Sequence, residues 1–259
     1  MSKKLALITG ASSGIGKSFA EQLAEEGYNL ILVARRKQKL EDLAEKLSKK
    51  FSTESQIVVA DLSELEQIKN VVDIINSLDS IDILINNAGF GLSSGFAEGN
   101  AERQLDMVKV HVLASFSLCR AVIPVMLKRN EGLVINVSSI SGLMIKYGDV
   151  TYTATKSFLI VLSEALQEEL RKTDIRIHAL CPGMTYSEFH DTEDLENFDR
   201  SSVPKGLWMS SSEVVRKSLK AARKGKTVYV PGFLNRVSLF FSNIALIRKI
   251  SQWFIERKN

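Results

Sequence analysis

Short apolar runs alternate with longer segments of helical periodicity along most of this chain. Seven runs have the length and composition of buried strands: LALIT, NLILVA, QIVVAD, IDILINNAG, GLVINVSS, IRIHALCPG and KTVYVPG. Between them lie segments such as QKLEDLAEKLSKK and EVVRKSLKAARKG, in which apolar residues recur at helical spacing. Strands buried on both faces and joined by helical crossovers form a parallel sheet with helices on either side. The alternation therefore predicts an α/β fold with a doubly wound parallel sheet of about seven strands.

Composition limits the classes of protein to which the chain can belong. Its 259 residues, 45% of them hydrophobic, suffice for one α/β domain with a full core. The net charge of +4 is spread along the chain without a block of like charges, which argues against a nucleic-acid partner. Cys119 and Cys181 lie in apolar runs, which indicates a reducing compartment. Because the first residues run directly into a strand pattern, with no room for a signal peptide, we expect a cytoplasmic protein.

The first strand is followed by the glycine-rich turn TGASSGIG and then by a helical segment. Glycines at positions such as Gly10, Gly14 and Gly16 let backbone N–H groups approach a pyrophosphate, and the helix N-terminus adds partial positive charge. An ordinary glycine-rich connection is the alternative. Dinucleotide sites usually carry an acid at the end of the second strand, where it binds the ribose 2′-hydroxyl. Here the chain has Arg35 and Arg36 instead, and a guanidinium can hold a 2′-phosphate, so NADP(H) is favoured over NAD(H) unless both arginines simply begin a solvated helix.

Five motifs in one order resemble those of the short-chain dehydrogenase/reductase family: TGASSGIG, NNAG at 86–89, NVSS at 136–139, YTATK at 152–156 and PGMTYS at 182–187. The resemblance covers roughly residues 4–232. It implies a Rossmann-type single domain, a nicotinamide cofactor, oxidoreduction of a carbonyl or alcohol, and catalytic roles for Ser139, Tyr152 and Lys156. It also implies that Asp61 contacts the adenine. With the arginines above, the predicted cofactor-binding residues are Gly10, Ser12, Ser13, Gly14, Ile15, Gly16, Arg35, Arg36, Asp61, Leu62, Asn87, Ala88, Gly89, Tyr152, Lys156, Pro182, Gly183, Thr185 and Ser187.

The three catalytic candidates also make chemical sense without the resemblance. Hydride transfer to a carbonyl leaves an alkoxide, so the site needs a proton donor and hydrogen bonds to the developing charge. A tyrosine has a free pKa of about 10, and lowering it by about three units takes roughly 4 kcal/mol. One positive charge at about 4 Å supplies that energy at an effective dielectric constant of about 20.

Lys156 can be that charge, because it follows Tyr152 by one helical turn. We therefore predict that Tyr152 is the acid for reduction and the base for oxidation, and that Lys156 tunes it and holds the ribose. Ser139 ends a strand at the carboxyl edge of the sheet, where its hydroxyl can bond the substrate oxygen. Taken singly, each could be a surface, packing or capping residue, but their joint placement favours a catalytic triad.

Two positions depart from the family pattern. His111 stands where the family usually has an asparagine that supports a water-linked proton path to the lysine. An imidazole can relay a proton, but its bulk can instead block the water, so both roles stay open. Ser187 stands where the family usually has a threonine that bonds the nicotinamide carboxamide; serine keeps the hydroxyl, and Thr185 is a competing candidate.

The substrate is predicted to be lipophilic. Loops expected over the pocket carry Phe90, Leu92, Phe96, Leu143, Met144 and Tyr147. Residues 184–210 mix acidic and aromatic residues without a period, which is typical of a lid, and contribute Phe189, Leu195, Phe198, Leu207, Trp208 and Met209. Such a wall suits a lipophilic carbonyl compound, although apolar loop residues can also form small satellite cores.

The C-terminal residues 235–259 form an apolar amphipathic segment. Its apolar residues at helical spacing are Val237, Phe240, Phe241, Ile244, Ile247, Ile250 and Phe254, flanked by Arg248, Lys249, Arg257 and Lys258. Its longest uncharged run is too short to span a bilayer. The segment can pack on a partner subunit, cover the pocket or lie on a membrane surface, so a peripheral membrane location stays open. The family resemblance implies a homodimer or homotetramer built from the long helices around 105–128 and 151–172.

These observations give one hypothesis with two alternatives. We assign residues 1–232 to a dinucleotide-binding catalytic domain with a substrate lid at 184–210, and residues 233–259 to a C-terminal extension. The hypothesis is an NADPH-dependent oxidoreductase, without a metal, that transfers a hydride to a lipophilic ketone or aldehyde or runs the reverse oxidation. The alternatives are a non-catalytic NADP(H)-binding redox sensor and a membrane-surface reductase of 3-oxoacyl or steroid ketones.

Overall fold

The seven apolar runs all contribute strands to one parallel sheet. These seven strands are β1 (Leu5–Thr9), β2 (Asn29–Ala34), β3 (Ser55–Val59), β4 (Ile83–Asn86), β5 (Glu131–Val137), β6 (Asp174–Leu180) and β9 (Val228–Tyr229). Two further strands, β7 (Thr185–Tyr186) and β8 (Met209–Ser210), form a separate small sheet. The computed structural model describes residues 4–92, 95–144, 150–195 and 198–241. In it the sheet has the order β3-β2-β1-β4-β5-β6-β9, with every pair parallel. The predicted doubly wound sheet of about seven strands is confirmed.

Helices connect the strands and cover both faces of the sheet. They are α1 (Gly14–Glu25), α2 (Lys37–Phe51), α3 (Leu65–Asn76), α4 (Ala101–Val108), α5 (Ser115–Arg129), α6 (Val150–Glu169) and α7 (Ser211–Arg223). Their buried residues follow helical spacing, as Leu40, Leu43 and Leu47 do in α2. Helix α7 begins at a Ser-x-x-Glu sequence, in which the Ser210 hydroxyl accepts a hydrogen bond from the backbone N–H of Glu213 at 3.2 Å.

The core lies on both sides of the sheet, because successive residues of a buried strand point to opposite faces. In β1, Ala6 and Ile8 join a cluster that includes residues of α1, α2 and α7. Leu7, between them, joins the opposite cluster with residues of α3 and α5. This two-sided burial explains why the strands read as continuous apolar runs.

The strand order reverses between β1 and β4. From β1 the chain proceeds to β2 and β3 on one side, and then returns to β4 on the other side. In open α/β sheets, the crevice at such a reversal, outside the carboxyl ends of the strands, is the place where ligands bind. The turn TGASSGIG begins at the last residue of β1, and the motif NNAG begins at the last residue of β4. Both predicted cofactor motifs therefore lie at this crevice.

Residues 184–210 contain more regular structure than their sequence suggests. Thr185 and Tyr186 of β7 pair in parallel with Met209 and Ser210 of β8, and short 3₁₀ turns lie between the two strands. Strands of two residues carry no periodic signal, so the sequence could not reveal them. The pairing closes the base of the segment into a loop.

A continuous helix covers Ala101–Arg129, from α4 through a π-helical stretch at Lys109–Ala114 into α5. It is long and apolar enough to cross a membrane by length and composition alone. Leu118 and Val122, however, are fully buried against the sheet, as is typical of a core helix. The exposed Leu105 and Phe116 lie on the same helix, within the range for which the family resemblance implies a subunit contact.

The described part of the C-terminal segment is helical at 233–241 and leaves aromatic side chains exposed. Phe233 is 70% exposed, and Phe240 and Phe241 are each 63% exposed. The remaining residues named for this segment, from Ile244 to Lys258, lie outside the described residues. Its three predicted roles therefore stay predictions.

Candidate functional site

Two turns meet closely at the crevice between β1 and β4. Gly10 has φ +65°, which favours glycine, and a Cβ there would lie 2.7 Å from Nδ2 of Asn87. A Cβ on Gly16 would lie 2.5 Å from the same nitrogen. The Asn87 amide donates hydrogen bonds to the carbonyls of Thr9 at 2.9 Å and Gly10 at 3.3 Å, and the Thr9 hydroxyl accepts from the N–H groups of Asn87 and Ala88. The glycines therefore make room for the second turn and leave a narrow backbone cradle at the N-terminus of α1.

Ser187 lies against this cradle and Thr185 does not. A Cβ on Gly14 would lie 2.9 Å from Cβ of Ser187. The Ser187 hydroxyl accepts a hydrogen bond from the backbone N–H of Phe189 at 3.3 Å. Thr185 is only 5% exposed and its hydroxyl donates to the carbonyl of Gly183 at 3.0 Å. Of the two candidates, Ser187 is therefore the one whose side chain lies against the glycine-rich turn.

Arg36 extends from the end of β2 over the cradle. Its Nη2 donates hydrogen bonds to the hydroxyls of Ser12 and Ser13, both at 2.9 Å. Its Nη1 donates to the carboxylate of Glu188 at 2.7 Å, and Lys39 Nζ donates to the other oxygen of that carboxylate at 2.7 Å. This places two cations and two hydroxyls beside the glycine-rich turn. Neither the involvement of Lys39 nor that of Glu188 was predicted from the sequence.

Arg35 belongs to a separate pair. Its guanidinium lies 3.6 Å from the carboxylate of Asp61, which also accepts hydrogen bonds from the backbone and hydroxyl of Ser63. Burial is the largest single contribution and raises the pKa of Asp61. The hydrogen bonds from Ser63 and the positive charge of Arg35 together outweigh it, so the pKa of Asp61 lies below its usual value. Leu62 beside it is buried. The two adjacent arginines thus face different partners.

Tyr152 and Lys156 lie in the first turns of α6, beside the end of β5, which Ser139 follows by two residues. Lys156 is only 4% exposed, and its Nζ donates a hydrogen bond to the carbonyl of Val137 at 3.0 Å. The same Nζ lies 5.6 Å from the centre of the Tyr152 ring. The Ser138 hydroxyl ties the two elements together by donating to the Lys156 carbonyl at 2.7 Å.

Burial lowers the pKa of this lysine without removing its charge at neutral pH. It lowers the pKa of Lys156 from 10.5 to about 8, so the ammonium form still predominates at neutral pH. A cation held in a buried place next to a tyrosine ring, at the carboxyl edge of the sheet, can stabilise negative charge that develops there. Ser139 follows directly after β5, and its hydroxyl accepts a hydrogen bond from the N–H of Ser141 at 3.1 Å, which leaves its own proton to donate.

His111 lies in the π-helical stretch and is fully buried. Its Nε2 accepts a hydrogen bond from the backbone N–H of Phe90 at 3.1 Å. Its Nδ1 lies 2.9 Å from the hydroxyl of Thr155, which itself donates to the Tyr152 carbonyl, so Nδ1 is the protonated nitrogen. Burial first, and then the positive charge of Lys156, hold the pKa of His111 well below its usual range.

The imidazole is therefore neutral, with both nitrogens in hydrogen bonds to the protein. A Cβ on Gly89 would lie 2.7 Å from Nε2 of His111 and 3.4 Å from Nζ of Lys156, so the ring and the ammonium group border the same small space. π-Helical stretches occur often at functional sites. The sequence marked His111 as a departure, but its two hydrogen-bond partners, Phe90 and Thr155, become visible only in the fold.

Apolar side chains lie beside the tyrosine. The ring of Phe189 is 6.1 Å from that of Tyr152, and the ring of Phe90 is 6.0 Å from that of His111. A Cβ on Gly91 would lie 3.1 Å from both Phe189 and Leu195. Residues 184–210 thus contact the loop after β4, and a salt bridge between Arg103 and Asp194, at 2.6 Å, joins them to α4.

Other residues predicted for the pocket wall have different surroundings. Trp208 and Met209 are buried, and Met209 packs in the core cluster beneath α1 and α7. Phe198 stacks with His190 at 4.7 Å between ring centres, within an aromatic cluster internal to the segment. Phe96 is 64% exposed, and Tyr147 lies outside the described residues. Leu92, Leu143, Met144 and Leu207 are partly buried. Ile15 lies in the first turn of α1, and Pro182 and Gly183 lie in the connection between β6 and β7.

A second buried histidine has a structural role that the sequence did not indicate. His178 in β6 is fully buried between the carbonyl of Lys226, which accepts from Nδ1, and the Ser218 hydroxyl, 3.1 Å from Nε2. Burial is the main reason that its pKa is lowered. These two hydrogen bonds of His178 join β6 to α7 and to the connection between α7 and β9.

Stability is expected to fall as the pH drops below 6.5. A histidine whose pKa is lowered in the folded state binds its proton in the unfolded chain first, so its contribution is complete above about pH 6.5 and is lost below it. We expect both His111 and His178 to contribute to a loss of stability between about pH 6.5 and 5. Urea unfolding across this range measures it. In His178→Asn the dependence on pH should be less steep, and a stability independent of pH would contradict the buried neutral state.

Comparisons with known proteins identify the family of this chain. A family model described as short chain dehydrogenase matches residues 4–197. An NADP-dependent 3-hydroxy acid dehydrogenase of Schizosaccharomyces pombe is 36% identical over 210 residues, which cover 78% of this chain and 81% of the relative. A solved short-chain dehydrogenase from Sphingobium yanoikuyae in complex with NADPH is 30% identical, with a TM-score of 0.84 over 96% of this chain and 95% of that one. A bulky-bulky ketone specific alcohol dehydrogenase from Comamonas testosteroni is 30% identical, with a TM-score of 0.79 over 95% and 94% of the two chains. The chain therefore belongs to the short-chain dehydrogenase/reductase family of oxidoreductases.

Proposed function

We propose that the protein is an NADPH-dependent oxidoreductase that reduces a lipophilic ketone or aldehyde, or oxidises the corresponding alcohol. The observation that carries the proposal is the buried ammonium group of Lys156 beside the Tyr152 ring, next to a glycine cradle at the reversal of strand order. The cradle fits a dinucleotide, because Gly10 and Gly16, where a Cβ would clash with the turn at Asn87, keep the backbone at the N-terminus of α1 free of side chains. The cations around Arg36 fit the additional phosphate of NADP(H).

The protein's own groups handle the proton and the charge. A bound nicotinamide supplies or accepts the hydride. Tyr152 donates its phenolic proton to the carbonyl oxygen during reduction, and Lys156 stabilises the phenolate that this leaves. Ser139 donates a hydrogen bond to the same carbonyl oxygen, where negative charge develops.

His111 acts in this scheme as a positioning residue. Its bond from the Phe90 N–H fixes the loop that follows NNAG, and its bond to Thr155 fixes the first turns of α6. With both nitrogens engaged, the neutral ring holds Tyr152 and Lys156 in place rather than passing a proton.

Residues 184–210 serve as the substrate lid, within a catalytic domain of residues 1–232. The lid contacts the site through Phe189, whose ring faces Tyr152, and through Leu195. An apolar carbonyl compound would bury its surface against these side chains and Phe90. The relative specific for bulky ketones is an example of an apolar substrate, and the 3-hydroxy acid dehydrogenase is an example of a charged one.

A panel of carbonyl compounds with NADPH tests the proposal. We expect aryl and cyclic ketones and medium-chain aldehydes to give kcat/KM values at least about tenfold above those of short charged oxoacids, since each buried methylene contributes to discrimination. Phe189→Ala should lower kcat/KM for the apolar substrates, whereas Phe96→Ala, which removes an exposed ring, should not. Faster reduction of short charged 3-oxoacids would contradict the lipophilic substrate. Tight NADPH binding without turnover of any carbonyl would favour the redox sensor.

A further inference from the structure

We propose that Lys39 and Glu188 determine how strongly the protein binds the 2′-phosphate of NADP(H). Lys39 acts as the second cation of the phosphate site beside Arg36, and the carboxylate of Glu188 is an internal anion that competes with the phosphate for both. This inference rests on the proposed NADP(H) preference and adds two residues that no sequence motif indicated.

The geometry of Glu188 is that of an anion held in an anion site. One carboxylate oxygen lies 2.7 Å from Nη1 of Arg36, and the other lies 2.7 Å from Nζ of Lys39. The same guanidinium also donates to the hydroxyls of Ser12 and Ser13. Two cations, one at the end of β2 and one in α2, therefore converge on one place beside the hydroxyls of the glycine-rich turn, and the carboxylate of Glu188, 152 positions from Arg36, occupies it.

This place is accessible to a ligand. The side chains of Arg36, Lys39 and Glu188 are 46%, 44% and 48% exposed. The cations hold the pKa of Glu188 below its usual value, so the carboxylate is charged at neutral pH. Arg35 contributes little here, because its partner is Asp61.

A phosphate group and this carboxylate cannot share the site. Both use the same donors, and a phosphate dianion brings more charge and more acceptor oxygens than a carboxylate. Two anions in contact repel each other, so binding of the phosphate displaces Glu188 from Arg36 and Lys39. Glu188 follows Ser187 directly, so this displacement releases the N-terminal end of residues 184–210 from α2.

Titration calorimetry of the full chain with NADPH, NADH, adenosine 2′-phosphate and adenosine 5′-phosphate tests the competition. We expect Glu188→Gln to tighten binding of NADPH and adenosine 2′-phosphate about tenfold, a value that allows for solvent screening of exposed ion pairs. Binding of NADH and adenosine 5′-phosphate should change less than about twofold. Lys39→Ala should weaken NADPH about tenfold and leave NADH unchanged.

Two matched variants control for general charge effects. Lys37→Ala removes a neighbouring lysine of α2 that pairs with Glu41, and Asp191→Asn removes a carboxylate of the same segment that pairs with Arg200. Neither should change the preference for NADPH over NADH.

The outcomes separate the inference from the proposed function. If wild type prefers NADPH and Arg36→Ala abolishes the preference, but Glu188→Gln leaves NADPH binding unchanged, weakens it or tightens NADH equally, the competition is refuted. An unchanged NADPH affinity in Lys39→Ala refutes the second cation. If wild type binds NADH as tightly as NADPH, the proposed cofactor preference itself fails.

Discussion

Replacing Tyr152 with phenylalanine is expected to reduce ketone reduction by about a thousandfold while NADPH binding is retained. The change removes the proton donor for the alkoxide, and general acid catalysis by a positioned side chain contributes about 10²- to 10⁴-fold. The ring itself stays, so its packing near His111 at 5.8 Å and Phe189 at 6.1 Å between ring centres is preserved. Single-turnover oxidation of NADPH measures the chemical step, and calorimetry measures cofactor binding.

Tyr186→Phe is the matched control for this experiment. Tyr186 also lies near the site but is 50% exposed, and its ring stacks on Trp208 rather than facing Lys156. Loss of its hydroxyl should leave the rate within about twofold of wild type, as is usual for exposed positions away from the chemistry. If Tyr152→Phe and wild type turn over alike, Tyr152 is not the acid, and the proton comes from another group.

The fold could be predicted from the sequence because its signals are local. The strand Asn29–Ala34 is apolar from Leu30 onwards, since both of its faces are covered, and the helix at Lys37–Phe51 repeats its leucines at helical spacing. The glycine-rich turn could be predicted for a similar reason: the left-handed backbone at Gly10 and the close approach of Asn87 leave no room for a side chain.

The parts of the site that could not be predicted depend on contacts between distant segments. Glu188 reaches Arg36 across 152 positions, and no spacing in the sequence links a single glutamate to a single arginine. The neutral state of His111 likewise depends on the backbone of Phe90 and the hydroxyl of Thr155, which the fold alone brings to it. Short strands such as β7 and β8 are stabilised by their pairing and not by a pattern of their own.

Lys156 is the residue at which stability and function should conflict most. The fall of its pKa from 10.5 to about 8 means that burial disfavours the ammonium form by about 3 kcal/mol. This cost remains although the ammonium group keeps a hydrogen bond to the carbonyl of Val137. A chain under selection for stability alone would place an apolar side chain here, so the buried charge indicates a functional requirement.

Lys156→Met is therefore expected to stabilise the fold while it removes activity. We expect the free energy of unfolding at pH 7 to rise by about 2 kcal/mol, since methionine has a similar length and no charge to bury. Turnover should fall by at least about a hundredfold, because the phenolate of Tyr152 loses its neighbouring cation. Urea unfolding and NADPH oxidation measure the two effects on the same preparation.

The pH dependence gives this prediction a definite sign. Below pH 8 the lysine is charged in both the folded and the unfolded chain, so the full penalty applies and the advantage of Lys156→Met is greatest. Between pH 8 and 10.5 the unfolded chain binds the proton and the folded chain does not, so wild type gains stability and the advantage shrinks. Lys172→Met, which removes an exposed lysine just after α6, should show neither the gain nor its pH dependence. If Lys156→Met is less stable than wild type at pH 7, and less stable by the same amount near pH 9, then the ammonium group is well solvated. The electrostatic role assigned to it beside Tyr152 would then lose its physical basis.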